Sequence, residues 1–126
     1  MSEQIIAEYF DTMNAEKWEL FTRLWTEDAL VTAVGTRQRR GPAEITAFYS
    51  GLFTPWATHL DTPTKAFGSS DGAAAVTVTF TGRTHRGLDV AFDAVDIFEF
   101  RDDRICRLTN YYDLVLVRRL LETEPG

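Results

Sequence analysis

Cysteine is nearly absent from this chain. Cys106 is the only one in 126 residues, which excludes an intramolecular disulfide framework and leaves no basis for a cysteine metal site. Histidine is almost as scarce: His59 and His85 stand far apart, with no His-x-x-x-His spacing and no carboxylate cluster beside them, so no metal is expected. A glycine-rich phosphate loop is missing too, as is any Ser-His-Asp or Cys-His arrangement on one surface, so no cofactor and no covalent nucleophile are expected. No apolar run approaches the roughly 18 residues of a membrane span. The start Met1-Ser2-Glu3-Gln4 has neither the basic end nor the apolar stretch of a signal peptide, so a cytoplasmic protein with no membrane partner is expected. Positive charge is in deficit, 13 Lys and Arg against 19 Asp and Glu for a net charge of −6. That balance opposes binding to polyanions, and nucleic acid is not an expected partner. The one basic run, Arg37, Arg39 and Arg40, reads as a solvated loop.

What is present suits a globular core. Hydrophobic residues make up 44% of the chain and charged ones 25%, and the length matches one domain, residues 1–126. Aromatics are abundant, with 9 Phe, 4 Tyr and 3 Trp. So many large rings in so short a chain suit the wall of an apolar cavity as well as a core.

The order of elements follows from periodicity. Ser2 is placed to cap a first helix in which Ile5, Tyr9 and Met13 recur every four residues, and Asn14 breaks it. A second helix carries Trp18, Phe21, Leu24 and Trp25. Ala29 to Val34 is a short strand ending at Gly35. Gly41-Pro42 then opens a third helix with Ile45, Phe48, Tyr49 and Leu52 on its buried face. Beyond Trp56 the chain is extended: a strand over 58–67 that Pro63 bends or confines to an edge, another over 74–81, a third over 88–100 and a last over 105–112. The tail from Leu114 to Leu121 is too apolar to be loose. Helices first and an antiparallel meander afterwards give an α+β architecture.

Within this pattern one residue is out of place. Asp96 falls on the apolar face of the third long strand, between Ala94 and Phe98 and in phase with Phe92 and Phe100. Desolvation there raises a carboxyl pKa and suits it to acid–base chemistry, or else Asp96 is a hydrogen-bonded core residue. A slip of one residue would turn Asp93 inward instead, at the cost of facing Phe92, Phe98 and Phe100 outward. Asn110 and Tyr112 share a face of the last strand, where they either meet a ligand carbonyl near Asp96 or satisfy Asp96 itself. Trp25, Phe48, Trp56, Phe80, Phe92 and Phe98 are candidate pocket walls. Val95 and Ile97 point the other way and predict a homodimer through the outer face of the sheet. Asp113 reads as a cap for the tail, and His85, between Arg83 and Arg86, as a solvent-exposed turn residue.

The words Tyr9-Phe10 through Met13-Asn14, Gly41-Pro42 with Phe48-Tyr49, the run from Val95 to Phe100, Asp102 to Ile105 and Tyr111-Tyr112-Asp113 resemble the SnoaL-like polyketide cyclase family of the nuclear transport factor 2-like superfamily. The resemblance spans nearly the whole chain. It implies a cone in which three N-terminal helices pack on a curved, mostly antiparallel sheet around a pocket for a small hydrophobic metabolite. The superfamily hosts several chemistries, so the fold alone assigns none. Similarity to ketosteroid isomerase matches Tyr9 to an oxyanion-binding tyrosine, Tyr49 to its supporting tyrosine and Asp96 to a protonated acid, while Ala33 replaces the proton-shuttling carboxylate. Similarity to scytalone dehydratase-like proteins puts His59 at a pocket histidine. The Asp-Arg-Asp cluster of limonene epoxide hydrolase is not evident. The expected function is cofactor-independent acid–base catalysis of cyclisation, isomerisation or dehydration on a carbonyl-containing metabolite, with Asp96, His59 and Tyr9 catalytic. The alternatives are a non-catalytic binding or dimerising module, and an epoxide hydrolase whose rearranged site would need a second inward carboxylate near Asp96.

Overall fold

The computed structural model describes residues 2–124; Met1, Pro125 and Gly126, at the ends of the expected domain, lie outside the described residues. Helices α1 (Ser2–Asn14) and α2 (Trp18–Thr22) precede strands β1 (Trp25–Ala33) and β2 (Arg39–Arg40), and α3 (Pro42–Leu52) follows. Four long strands come next, β3 (Trp56–Gly68), β4 (Ala74–Thr84), β5 (Asp89–Arg101) and β6 (Arg104–Tyr112), and α4 (Leu114–Leu121) closes the chain. The strands form one curved sheet in the order β2-β1-β6-β5-β4-β3. Every pairing is antiparallel except β1 with β6.

The expected α+β layout therefore holds, with local differences that have physical causes. Ser2 is the first helical residue rather than the one before it. Trp25 does not belong to the second helix. After Thr22 the chain tightens, Arg23 N–H reaching Leu20 O and Leu24 N–H reaching Phe21 O. Ile105 N–H then donates to Leu24 O at 2.8 Å, drawing the next residues into the sheet, so Trp25 opens β1. The tail is a helix because Asp113 stands at its N-cap and accepts from Leu116 N–H at 2.9 Å, satisfying a donor that has no partner within the helix.

The β4–β5–β6 meander keeps the alternation that the sequence predicts. Val76, Val78 and Phe80 are buried on the helix side, and Phe98 and Asp96 join them from β5. Asp102 and Asp103, both at positive φ (54° and 58°), form the two-residue turn that joins β5 to β6. Pro63 lies on the edge strand β3, and the register shifts between it and Lys65. A residue without an N–H is tolerated at such an edge. The core gathers α1, α3 and the inner sheet face around Phe21, Trp25, Ile45, Phe98, Ile105 and Leu108, each at most 1% exposed.

Candidate functional site

Between the helices and the inner face of the sheet lies a cavity of about 460 Å³. The strand registers determine its wall. Phe80 of β4 pairs with Phe92 of β5 on one side and with Asp61 of β3 on the other. Ring contacts run across the strands, from Trp56 to Phe80 at 4.9 Å, Phe80 to Phe92 at 4.8 Å and Phe92 to Tyr112 at 5.1 Å. The result is a continuous aromatic wall across four strands. Gly82 makes room for it: a Cβ there would lie 2.8 Å from the Phe80 ring and 2.9 Å from the Trp56 ring.

Asp96 and Asn110 stand directly opposite each other on β5 and β6. Asn110 Nδ2 donates to Asp96 Oδ1 at 2.8 Å. The other carboxyl oxygen accepts no hydrogen bond among the described residues, although the side chain is only 5% exposed and lines the cavity. Burial pushes the Asp96 pKa up to about 6, while the Asn110 donation pulls it down by favouring the charged form.

A second carboxylate shares the cavity. Asp61 lines it from β3, and burial, followed by repulsion from Asp96, pushes its pKa up to about 7. Its main chain is clamped by Asn14 at the end of α1, whose Oδ1 accepts from Asp61 N–H and whose Nδ2 donates to Asp61 O, both at 2.9 Å. Asp61 was not among the residues expected from the sequence. The signal was its place two residues from His59 on an alternating strand, which puts both on one face.

Tyr9 and Tyr49 meet between α1 and α3, their hydroxyls 2.7 Å apart, and both line the cavity. Burial raises both phenol pKa values, with the Asp96 charge adding to each, so they remain protonated. Two hydroxyls carry two protons and one mutual hydrogen bond, which leaves one O–H to donate elsewhere.

The structure thus brings together Asp96, Tyr9, Tyr49, Asn110, Tyr112, Phe48, Trp56, Phe80 and Phe92. Three expected residues lie elsewhere. His59 does not line the cavity: its ring stacks on Phe53 at 3.9 Å and its Nε2 lies 3.0 Å from Glu16 Oε2. That pairing turns the imidazole toward the α1–α2 junction. Trp25 and Phe98 are core residues, sealed at 1% and 0% exposure. Ala33 does line the cavity, and it pairs with Asn110 across the parallel β1–β6 ladder. Val117 and Leu121 of α4 and Glu124 also line the cavity. Among the described residues no group of His, Cys, Asp and Glu could hold a metal ion, and no helix is long and apolar enough to cross a membrane.

The SnoaL-like domain family matches residues 6–108, and the chain belongs to that family. Solved structures share its fold, a cone of the nuclear transport factor 2-like kind. A protein named as a SnoaL-like polyketide cyclase from Jannaschia sp. CCS1 superposes with a TM-score of 0.86 at 16% identity, covering 97% of this chain and 92% of its own. TerC, co-crystallised with polyporic acid, does so with a TM-score of 0.84 at 18% identity, covering 95% and 97%. An epoxide hydrolase of M. tuberculosis resembling limonene epoxide hydrolase gives 0.79 at 16% identity, covering 96% and 89%. No curated protein matches the sequence significantly.

Proposed function

We propose that this chain is a cofactor-independent acid–base enzyme acting on a small hydrophobic, carbonyl-containing metabolite, by cyclisation, isomerisation or dehydration of the kind that tailors polyketides. The observation that carries the reading is the pair Asp61 and Asp96 in one largely apolar cavity, with pKa values of about 7 and about 6. Groups poised near neutrality are the effective general acids and bases at that pH. Asp96, stabilised as a carboxylate by Asn110, takes a proton from the carbon next to the carbonyl. The free O–H of the Tyr9–Tyr49 pair donates to the developing enolate oxygen. Asp61, which holds its proton more tightly, returns one to carbon in an isomerisation or to a departing hydroxyl in a dehydration. In a cyclisation the enolate carbon attacks a second carbonyl, whose oxygen Asp61 protonates.

Proton exchange into D2O next to the carbonyl, followed by NMR over a panel of cyclic enones and β-diketones, tests the first step without knowledge of the natural substrate. The wild-type chain is expected to accelerate exchange in at least one member and Asp96→Asn to abolish the acceleration. A folded Asp96→Asn variant with the wild-type exchange rate would sink the proposal.

Epoxide hydrolysis ranks second. Asp61 supplies the additional inward carboxylate that this reading requires, but among the described residues no arginine lines the cavity to stand between the two. Self-association belongs to the same proposal: Tyr111, 52% exposed, pairs with Val95, and Phe67, also 52% exposed, continues the row of Ala75 and Ile97. A dimer through this outer face predicts twice the chain mass by light scattering, and a monomer at micromolar concentration counts against it.

A further inference from the structure

The titratable groups that line the cavity are Tyr9, Tyr49, Asp61, Asp96, Tyr112 and Glu124. Every one of them becomes negative or stays neutral; none becomes positive. Arg39 of β2 lies 4.4 Å from the centre of the Phe48 ring, and Arg118 of α4 acts on the Tyr112 hydroxyl, but neither arginine lines the cavity. Asp61 and Asp96 therefore share the cavity with no cation among the described lining residues to balance them. Ionising both carries the desolvation of each and their mutual repulsion. Asp96 is the sharper case, since one of its oxygens is hydrogen-bonded by Asn110 and the other faces the cavity without a partner among the described residues.

The aromatic wall adds an independent observation. The rings of Trp56, Phe80, Phe92 and Tyr112 follow one another at centroid spacings of 4.8–5.1 Å, and Phe48 lines the cavity from α3. Ring faces carry partial negative charge and attract a cation, most strongly where water is excluded. An ordinary apolar ligand uses the rings and leaves the carboxylates unbalanced, whereas a cation carried on an apolar body satisfies both.

We propose that the molecule bound in this cavity carries a positively charged nitrogen, a tertiary or quaternary ammonium group on a hydrophobic frame. The nitrogen is held between Asp61, Asp96 and the aromatic wall. This rests on the reading of the cavity as the functional site but not on turnover there, since it concerns binding alone.

The probes are a matched pair, [4-(hydroxymethyl)phenyl]trimethylammonium and its uncharged carbon analogue 4-tert-butylbenzyl alcohol, titrated calorimetrically into the intact chain. The ammonium is expected to bind about tenfold more tightly than the alcohol near pH 8. The gap is expected to narrow toward about pH 5 as Asp61 and Asp96 take up protons, because the quaternary probe does not itself titrate. Asp61→Asn and Asp96→Asn, each checked for folding by circular dichroism, should each shrink the gap, and Glu3→Gln, on the exposed first turn of α1 and outside the cavity, serves as the comparison. Equal affinity for the two probes, or no binding of either at millimolar concentration, overturns the inference. So does an ammonium preference that survives both substitutions, which would put the cation on the acidic surface. No acceleration of proton exchange by the wild-type chain in the enone panel, with the ammonium preference intact, would sink the catalytic reading and leave this one standing.

Discussion

Asn14 grips the main chain of Asp61 with both ends of its amide, at 2.9 Å each, and so ties the last residue of α1 to the edge strand β3. Without that clamp a carboxylate on an edge strand beside a register shift would have little to fix its aim. Asn14→Ala removes both hydrogen bonds and leaves part-buried backbone groups unpaired, an expected loss of about 1–3 kcal/mol in urea unfolding. A side-chain carboxyl titration by NMR in the same variant should show the Asp61 pKa falling toward the ordinary range, as the freed strand lets water in. An unchanged Asp61 pKa would show that Asn14 supports the fold but not the site.

The carboxylate pair makes stability depend on pH in a direction unlike that of surface acids. The folded state holds protons on Asp61 and Asp96 up to about pH 7 and 6, whereas the unfolded chain releases them near the ordinary aspartate value of 3.8. Between those limits the unfolded state binds fewer protons, so stability falls as pH rises and the full penalty is present above the folded pKa values. Asp61→Asn is therefore expected to raise the melting temperature more at about pH 8 than at about pH 5. Equal shifts at both pH values would mean that Asp61 is solvated in the folded chain.

The tyrosine pair should behave as a unit. Either Tyr9→Phe or Tyr49→Phe leaves its partner's buried hydroxyl without the 2.7 Å hydrogen bond, at an expected cost of about 1–3 kcal/mol. The double variant should cost less than the sum, and a double-mutant cycle from denaturation curves measures the coupling. Strict additivity would mean that the two hydroxyls find other partners.

Gly82 is expected to be intolerant of any side chain. A methyl group there meets the Phe80 ring at 2.8 Å, the Thr58 carbonyl at 2.9 Å and the Trp56 ring at 2.9 Å, and the carbonyl cannot give way without moving β3. Gly82→Ala should lower stability by about 1–3 kcal/mol, as overpacking does. It should also change the tryptophan fluorescence through displacement of Trp56. Unaltered emission with unaltered stability would mean that the rings have room to yield.

Much of the architecture could be read from the residues because the periodicities were strong. The Val76-Val78-Phe80 alternation and the Gly-Pro start of α3 predict their elements, and the inward phase of Asp96 follows from its aromatic neighbours on β5. Trp25 misled because its spacing from Phe21 is helical, while its strand is set by a long-range bond from Ile105 to Leu24. His59 and Asp61 share one strand face, and only tertiary partners separate them. Glu16 and Phe53 take the histidine, while Asn14 fixes the aspartate. The sequence names the face, and contacts from distant elements decide which residue on it reaches the cavity.

Ala33 stands beside Asn110 in the parallel ladder and shows the cavity nothing but a methyl group. The parallel pairing with β6 holds the place, one strand away from Asp96, which faces Asn110 from the other side. A side chain introduced there would inherit a fixed backbone and an aim toward the ligand. One codon therefore separates this arrangement from one with a further polar group beside Asn110, so new chemistry can be acquired at this position without a new fold.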